Sequence, residues 1–262
     1  MRSRVPQHRV AETVAAELRS RILSSDRDYR LPTQDQLVKE FGVSYPSVRE
    51  ALRILETEGL VTVRRGSVGG AEVHRPDESS AAYHLGLALQ GGRVTLRDLA
   101  DGLQLLEPLC AAECARRADR AQTVVPALRA NVAASAQLTG DGVAFTRVAR
   151  EFHDLVVAFS PNATVRHVVS SLVALWSAQE QTWAEVLTRR GEYPTREEAD
   201  SAVRAHERIT EEIAAGNDEQ ARRLARAHLA ATQALLLKRF DDGVVSAARA
   251  RQGAMSGNHS RI

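Results

Sequence analysis

A mainly α-helical chain of two parts is predicted, from three features of the sequence. Apolar residues recur at helical spacing through most of its length. A cluster of glycines at GSVGG interrupts two short β-like runs. Beyond Pro76 the breakers are confined to a few loops, at GG 91–92, TGDG 139–142, SPN 160–162, GEYPT 191–195 and AAGND 214–218, so no strand alternation survives there.

From Val10 to Leu23, Val10, Val14, Leu18 and Ile22 recur every four residues, an amphipathic first helix. Thr33 caps a short second helix with Gln36 at the capping-box position. Leu37, Val38 and Phe41 form its buried side, and Gly42 ends it. Ser44 caps a third helix with Pro46 in the first turn, where the missing N–H is harmless. Val48, Leu52 and Leu55 give its core stripe and Gly59 closes it. LVTVRR and AEVH follow as a β-hairpin. The remainder reads as a bundle of six or seven helices. The expected division is a first domain over 1–75, a linker and first bundle helix over 76–98, a helical domain over 99–240 and a disordered tail over 241–262 that tolerates deletion.

The 262 residues are 44% hydrophobic and 26% charged, which excludes a disordered, collagen-like or membrane-bundle chain. No apolar run approaches the roughly 20 residues of a bilayer span. The start, MRSRVPQHRVAETV, lacks the apolar segment of a secretory signal, so a cytoplasmic location is expected. Cys110 and Cys114 lie four apart in an alanine-rich helix and read as small buried hydrophobes without a redox or metal role. The net charge of +2 conceals an asymmetry, because residues 1–75 hold 13 basic and 10 acidic side chains.

Helix, short helix, turn, helix and β-hairpin in that order make a winged helix–turn–helix whose third helix enters the DNA major groove. With Val48, Leu52 and Leu55 inward, Tyr45, Ser47, Arg49 and Arg53 fall on or near the outer face. Tyr45, Pro46, Ser47 and Arg49 sit near the helix N-terminus, the end that meets base edges and phosphates. Arg49 offers a fork to guanine or phosphate. Arg64, Arg65 and Gly66 suit the phosphate backbone or minor groove at the wing. Thr33 and Ser44, at the starts of the second and third helices, complete the candidate DNA-facing set.

The segment LPTQDQLVKEFGVSYPSVREALRILETEGLVTVRRGSVGG resembles the DNA-binding domain of GntR-family transcriptional regulators, over about Val10 to Val73. Many relatives carry arginine where this chain has Asp35 and Tyr45. An acid at such a position can read a cytosine amine, repel phosphate or do neither, so a different operator is expected.

LLEPLCAAECARRA, REFHDLVVAFSPN and AHERITEEIAAGNDEQARRLARAHL resemble the effector domain of the FadR subgroup of that family, over residues 99–230. The resemblance implies a dimerising helical bundle with a small-molecule pocket, in which an aspartate and three histidines bind a divalent metal. The histidines would be His153, His206 and His228. Each also projects from an apolar stripe: His153 with Ala149, Val156 and Val157, His206 with Ile209 and Ile213, His228 with Leu224, Ala231 and Leu235. The position expected to hold the aspartate is Ala149, which cannot coordinate, and an all-imidazole shell favours zinc, nickel or copper. Leu103 stands where many relatives place an arginine. Both changes predict a less polar pocket, with Trp176, Trp183 and Phe159 as further candidate lining, and favour an acyl thioester over a small hydroxy acid.

The expected function is a ligand-responsive regulator, not an enzyme: a dimer on a pseudo-palindromic operator, acting as a repressor released by a carboxylate or acyl thioester. The rivals are a zinc-dependent hydrolase using the three histidines and a ligand-insensitive DNA-binding protein.

Overall fold

The computed structural model describes residues 7–26, 28–63, 71–75, 78–190, 194–239 and 243–248. It divides into two compact units, Met1–Asp77 and Glu78–Ile262.

The first unit contains α1 (Gln7–Ser24), α2 (Gln34–Phe41), α3 (Tyr45–Thr57), β1 (Val61–Val63) and β2 (Ala71–Val73). Thr33 and Gln36 form a reciprocal capping box on α2, and Gly42 ends that helix in the left-handed conformation at φ 62°. Ser44 caps α3 by accepting from the Ser47 N–H, with Pro46 in the first turn. Val14, Leu18, Ile22, Leu37, Val48, Leu52 and Leu55 are buried together with Leu60 and Val61, so one core binds the three helices to the hairpin. β1 and β2 pair antiparallel with Val61 opposite Val73 and Val63 opposite Ala71. The Leu60 carbonyl extends the pairing by accepting from His74 N–H at 2.8 Å.

The second unit is a bundle of α4 (Glu78–Gly91), α5 (Leu96–Arg116), α6 (Val124–Ala136), α7 (Gly142–Ala158), α8 (Ala163–Arg189), α9 (Arg196–Ala215) and α10 (Asp218–Arg239). α5 runs through its middle and packs on α7, α8, α9 and, most extensively, α10. Its buried face, Leu96, Leu99, Leu103, Glu107, Cys110 and Cys114, follows helical spacing with one acid among apolar groups. Thr195 and Glu198 box the start of α9, and Gly216 closes it at φ 78°.

The expectation of a disordered tail from 241 does not hold over 243–248. Val245 and Ala247 are buried, and this segment straps the bundle. Val245 N–H donates to Val94 O, Gln179 brackets Ser246 by accepting from its N–H and donating to its carbonyl, and Ala247 N–H donates to Gln90 Oε1. A pair of valines is too short to show periodicity, so only packing reveals it.

Candidate functional sites on the two units

On the first unit, α3 presents Tyr45, Pro46 and Arg49 to solvent. Arg49 makes no ion pair or hydrogen bond among the described residues. Arg53 is held by Glu50 at 3.2 Å, while Glu58 is taken by Arg19 and Glu56 by the Val63 N–H. The recognition helix thus carries one unpaired guanidinium near its N-terminus. Ser47 is a correction: it is buried, with its Oγ 3.0 Å from that of Ser44. As the third residue of a capped helix it completes the cap and turns away from the outer face of α3. Thr33 is engaged likewise, its hydroxyl donating to Gln36 Oε1 at 3.1 Å. Arg64, Arg65 and Gly66 lie outside the described residues.

On the second unit, α7, α9 and α10 bring His153, His206 and His228 together. One ring nitrogen can be chosen from each so that all three lie within 4.8 Å of one another. His206 Nε2 and His228 Nε2 are 3.0 Å apart. Phe152 stacks on His206 at 3.9 Å between ring centroids and 6° between planes, fixing that imidazole. His153 Nδ1 meets Glu107 Oε1 at 2.6 Å, and the Glu107 side chain is buried. His206 Nδ1 is buried without a hydrogen-bond partner among the described residues.

The electrostatics separate the three rings. Burial, reinforced by the charges of His228 and His153, holds the His206 pKa well below its ordinary value. Burial, with His153, pulls His228 down to about 3. Burial acts in the same direction on His153, but the Glu107 charge and hydrogen bond outweigh it and raise its pKa.

These residues enclose a cavity of about 90 Å³, lined also by Leu103, Ala149, Trp176, Arg150, Glu180 and Gln233. Trp183 and Phe159 pack against the core outside that lining. The walls are more polar than Leu103 and Ala149 imply. Arg150 pairs through Nε with Glu180 Oε2 at 3.0 Å, and its Nη2 is buried with no partner among the described residues. Gln233 accepts from Gln104 at 2.8 Å while its own Nε2 is buried and, among the described residues, unmatched. Arg150 and Gln233 were missed in the sequence; Arg150, three residues before His153, shares its helix face, which was the available signal. The stripe of α10 also differs from expectation. Ala221, Ala225, Leu229 and Leu236 flank His228 on the buried side, whereas Leu235 is exposed.

The histidine set fits a divalent metal. Imidazoles bound tetrahedrally to zinc at about 2.0–2.1 Å hold their nitrogens about 3.3–3.4 Å apart, a few tenths of an ångström more than the 3.0 Å between His206 and His228. Low pKa values keep His206 and His228 neutral, each ring with one lone pair to give, and Glu107 on Nδ1 leaves His153 Nε2 for the ion. Ala149 contributes only a methyl.

A capped helix–turn–helix backed by a hairpin, joined in one chain to a helical unit with a largely apolar cavity that three histidines enter, defines a DNA-binding regulator of transcription. Comparison with known proteins agrees. The model for bacterial regulatory proteins of the gntR family matches residues 10–69, and that for the FCD domain matches residues 98–231. The HTH-type transcriptional regulator LutR of Bacillus subtilis (strain 168) is 23% identical over 215 residues, 82% of this chain and 94% of LutR. YdhC of the same organism, an uncharacterized HTH-type transcriptional regulator, is 27% identical over 201 residues, 74% of this chain and 76% of YdhC. The solved structure of Streptococcus agalactiae GntR shares the fold with a TM-score of 0.62 at 20% identity, covering 85% of this chain and 98% of that one. The chain belongs to the GntR family and carries its effector-binding part as an FCD domain. It is a transcriptional regulator and not an enzyme, which sets aside the hydrolase alternative. No helix among the described residues is long and apolar enough to cross a membrane.

Proposed function

We propose that the chain is a metal-dependent sensor of a small organic acid: a dimeric repressor that grips a short pseudo-palindromic operator and is released when the acid enters the FCD cavity. The observation that carries this reading is the juxtaposition, around one cavity of about 90 Å³, of three histidines with two buried donors that have no partner among the described residues, Arg150 Nη2 and Gln233 Nε2. A buried guanidinium N–H without an acceptor is destabilising until an acceptor arrives, and a carboxylate supplies one with its charge matched.

His153, His206 and His228 would hold zinc or nickel, with Glu107 orienting His153. When bound, the ion supplies a Lewis-acidic contact for an oxygen of the effector. Arg150, already half-neutralised by Glu180, supplies the opposing contact, and Trp176 and Leu103 supply apolar wall. A cavity of this size holds several waters or a small acid. Its volume matches a small acid more closely than an acyl thioester, and the buried guanidinium calls for a carboxylate, so the small carboxylate is favoured over the thioester. Release follows by linkage: an acid that binds the DNA-incompetent arrangement more tightly shifts the population toward it.

The test is fluorescence anisotropy on DNA selected from a randomised duplex pool, titrated with a panel of short hydroxy, keto and dicarboxylic acids in the presence of zinc or nickel. At least one acid should dissociate the complex. The His153→Ala, His206→Ala, His228→Ala variant should bind the same DNA and ignore that acid. DNA binding unmoved by every acid, with or without metal, would overturn the sensor reading in favour of a ligand-insensitive DNA-binding protein.

A further inference from the structure

The outer face of the helix–turn–helix carries a carboxylate where it must approach a polyanion. Asp35 lies in the first turn of α2 and Tyr45 is the first residue of α3. The two side chains meet in front of both helices, Tyr45 Oη donating to Asp35 Oδ1 at 3.0 Å. Both are exposed. Among the described residues no lysine or arginine is paired with Asp35. The hydrogen bond to Asp35 raises the Tyr45 pKa, so the phenol keeps its proton.

That bond consumes the only proton either group has. What the pair presents outward is therefore acceptors alone: Asp35 Oδ2 and the lone pairs of Tyr45 Oη. Against a phosphate such a pair is repulsive, and against guanine N7 and O6 or thymine O4 it sets acceptor on acceptor. Only two groups on the floor of the major groove donate, adenine N6 and cytosine N4. Adenine N6 stands between two acceptors, its own N7 and the O4 of the paired thymine. Cytosine N4 has guanine O6 on one side only and the nonpolar C5–H on the other. A fixed carboxylate meets less repulsion there.

The geometry points to Asp35, positioned by Tyr45, as the residue that selects a cytosine at one base pair of the bound DNA by accepting from its N4 amine. The selection is as much rejection as attraction, because the same carboxylate excludes guanine and thymine from that place. This rests on the DNA-binding role of the N-terminal unit.

The test is selection of binding sites from a randomised duplex pool with the full chain, followed by affinities for the selected site and its single-base variants. The wild type should select cytosine at one position and lose about tenfold or more on replacing it. Asp35→Ala should flatten the preference at that position and leave the others unchanged. Asp35→Asn should move it toward adenine, whose N6 and N7 an amide meets with donor and acceptor together. Tyr45→Phe should weaken the preference without shifting it. A role for Asp35 confined to stabilising the N-terminus of α2 would lower the melting temperature of the variants and leave base frequencies untouched. That result overturns the inference, as does uniformly tighter binding by Asp35→Ala at every sequence. Selection of no sequence by the wild type would instead count against the DNA-binding role itself.

Discussion

His153 Nδ1 stands 2.6 Å from Glu107 Oε1, a contact between α7 and α5 across 46 positions of sequence. It fixes which nitrogen of His153 carries a proton and which faces the other two histidines. A buried carboxylate placed this way is an orienting group, and its removal leaves the ring in place but free to turn. Glu107→Gln should therefore fold normally and bind zinc or nickel about 10- to 100-fold more weakly than the wild type, read by calorimetric titration of metal-stripped protein. Equal affinity in the two proteins would show that Glu107 does not tune the site. Absence of metal binding in the wild type would count against the histidine site as a whole.

Arg49 and Arg53 lie one turn apart on α3 but in different states, the first unpaired among the described residues and the second held by Glu50 at 3.2 Å. Arg53 must give up that contact before it can meet DNA, and an exposed pair of this kind is worth little either way. Arg49→Ala should weaken binding to the selected duplex by about 1–3 kcal/mol, and Arg53→Ala by well under half as much. Anisotropy at several salt concentrations checks this. A loss spread evenly over all sequences, with a shallower salt slope, would assign Arg49 to a phosphate; a loss confined to one base pair would assign it to a base. Equal losses in the two variants would contradict the distinction drawn from their pairing.

The first unit was almost wholly legible in the sequence because its signals are local. Thr33 with Gln36, Gly42, and Ser44 with Pro46 each act within four residues, and each does in the structure what its spacing implies. Ser47 escaped because it is polar and lies at the edge of the stripe drawn through Val48, Leu52 and Leu55; the buried face of α3 is wider and takes in Ser47, Ala51 and Leu55 at i, i+4 and i+8. In the second unit the histidines could be brought together from three separate stripes and a resemblance, while their surroundings could not. Leucines lie on several faces of α10 between arginines, so the stripe through Leu224 and Leu235 looked as good as the one actually buried. Arg150 reads as a solvated residue until α8 delivers Glu180, 30 positions later, to its Nε.

Cys110 and Cys114 are buried in α5, and burial pushes both thiols up to about 12. Cys114 also donates to the Val156 carbonyl at 3.3 Å. In the native protein neither should be alkylated by iodoacetamide at about pH 8, whereas the unfolded chain, with thiols near 8.5, should react at once. The linkage has a definite sign. The folded state holds these protons more tightly than the unfolded state, so their contribution to stability is intact below about pH 8.5 and is lost as pH rises toward the folded value. Denaturant midpoints should fall over that alkaline interval, and replacing both cysteines by alanine should flatten this part of the profile. Rapid alkylation of the native chain would refute the burial on which the argument depends.

Gly216 ends α9 at φ 78°, and a methyl added there would stand 2.8 Å from Arg120 Nη2. Two separate penalties are therefore combined in one residue. The left-handed conformation disfavours any side chain by about 1–2 kcal/mol. The contact would displace the Arg120 guanidinium, which donates to the Ala214 carbonyl at the end of the same helix and to the Arg117 carbonyl. Gly216→Ala should lower the melting temperature by roughly 2–8 °C, given the usual sensitivity of a domain of this size. Arg120→Ala leaves helix carbonyls without that donor and should be destabilising by itself, but it vacates the space the new methyl needs. The double variant should thus lose less than the two singles together, by the energy of the displaced guanidinium. Strict additivity would mean that Arg120 moves aside freely, leaving backbone conformation alone to require glycine at this turn.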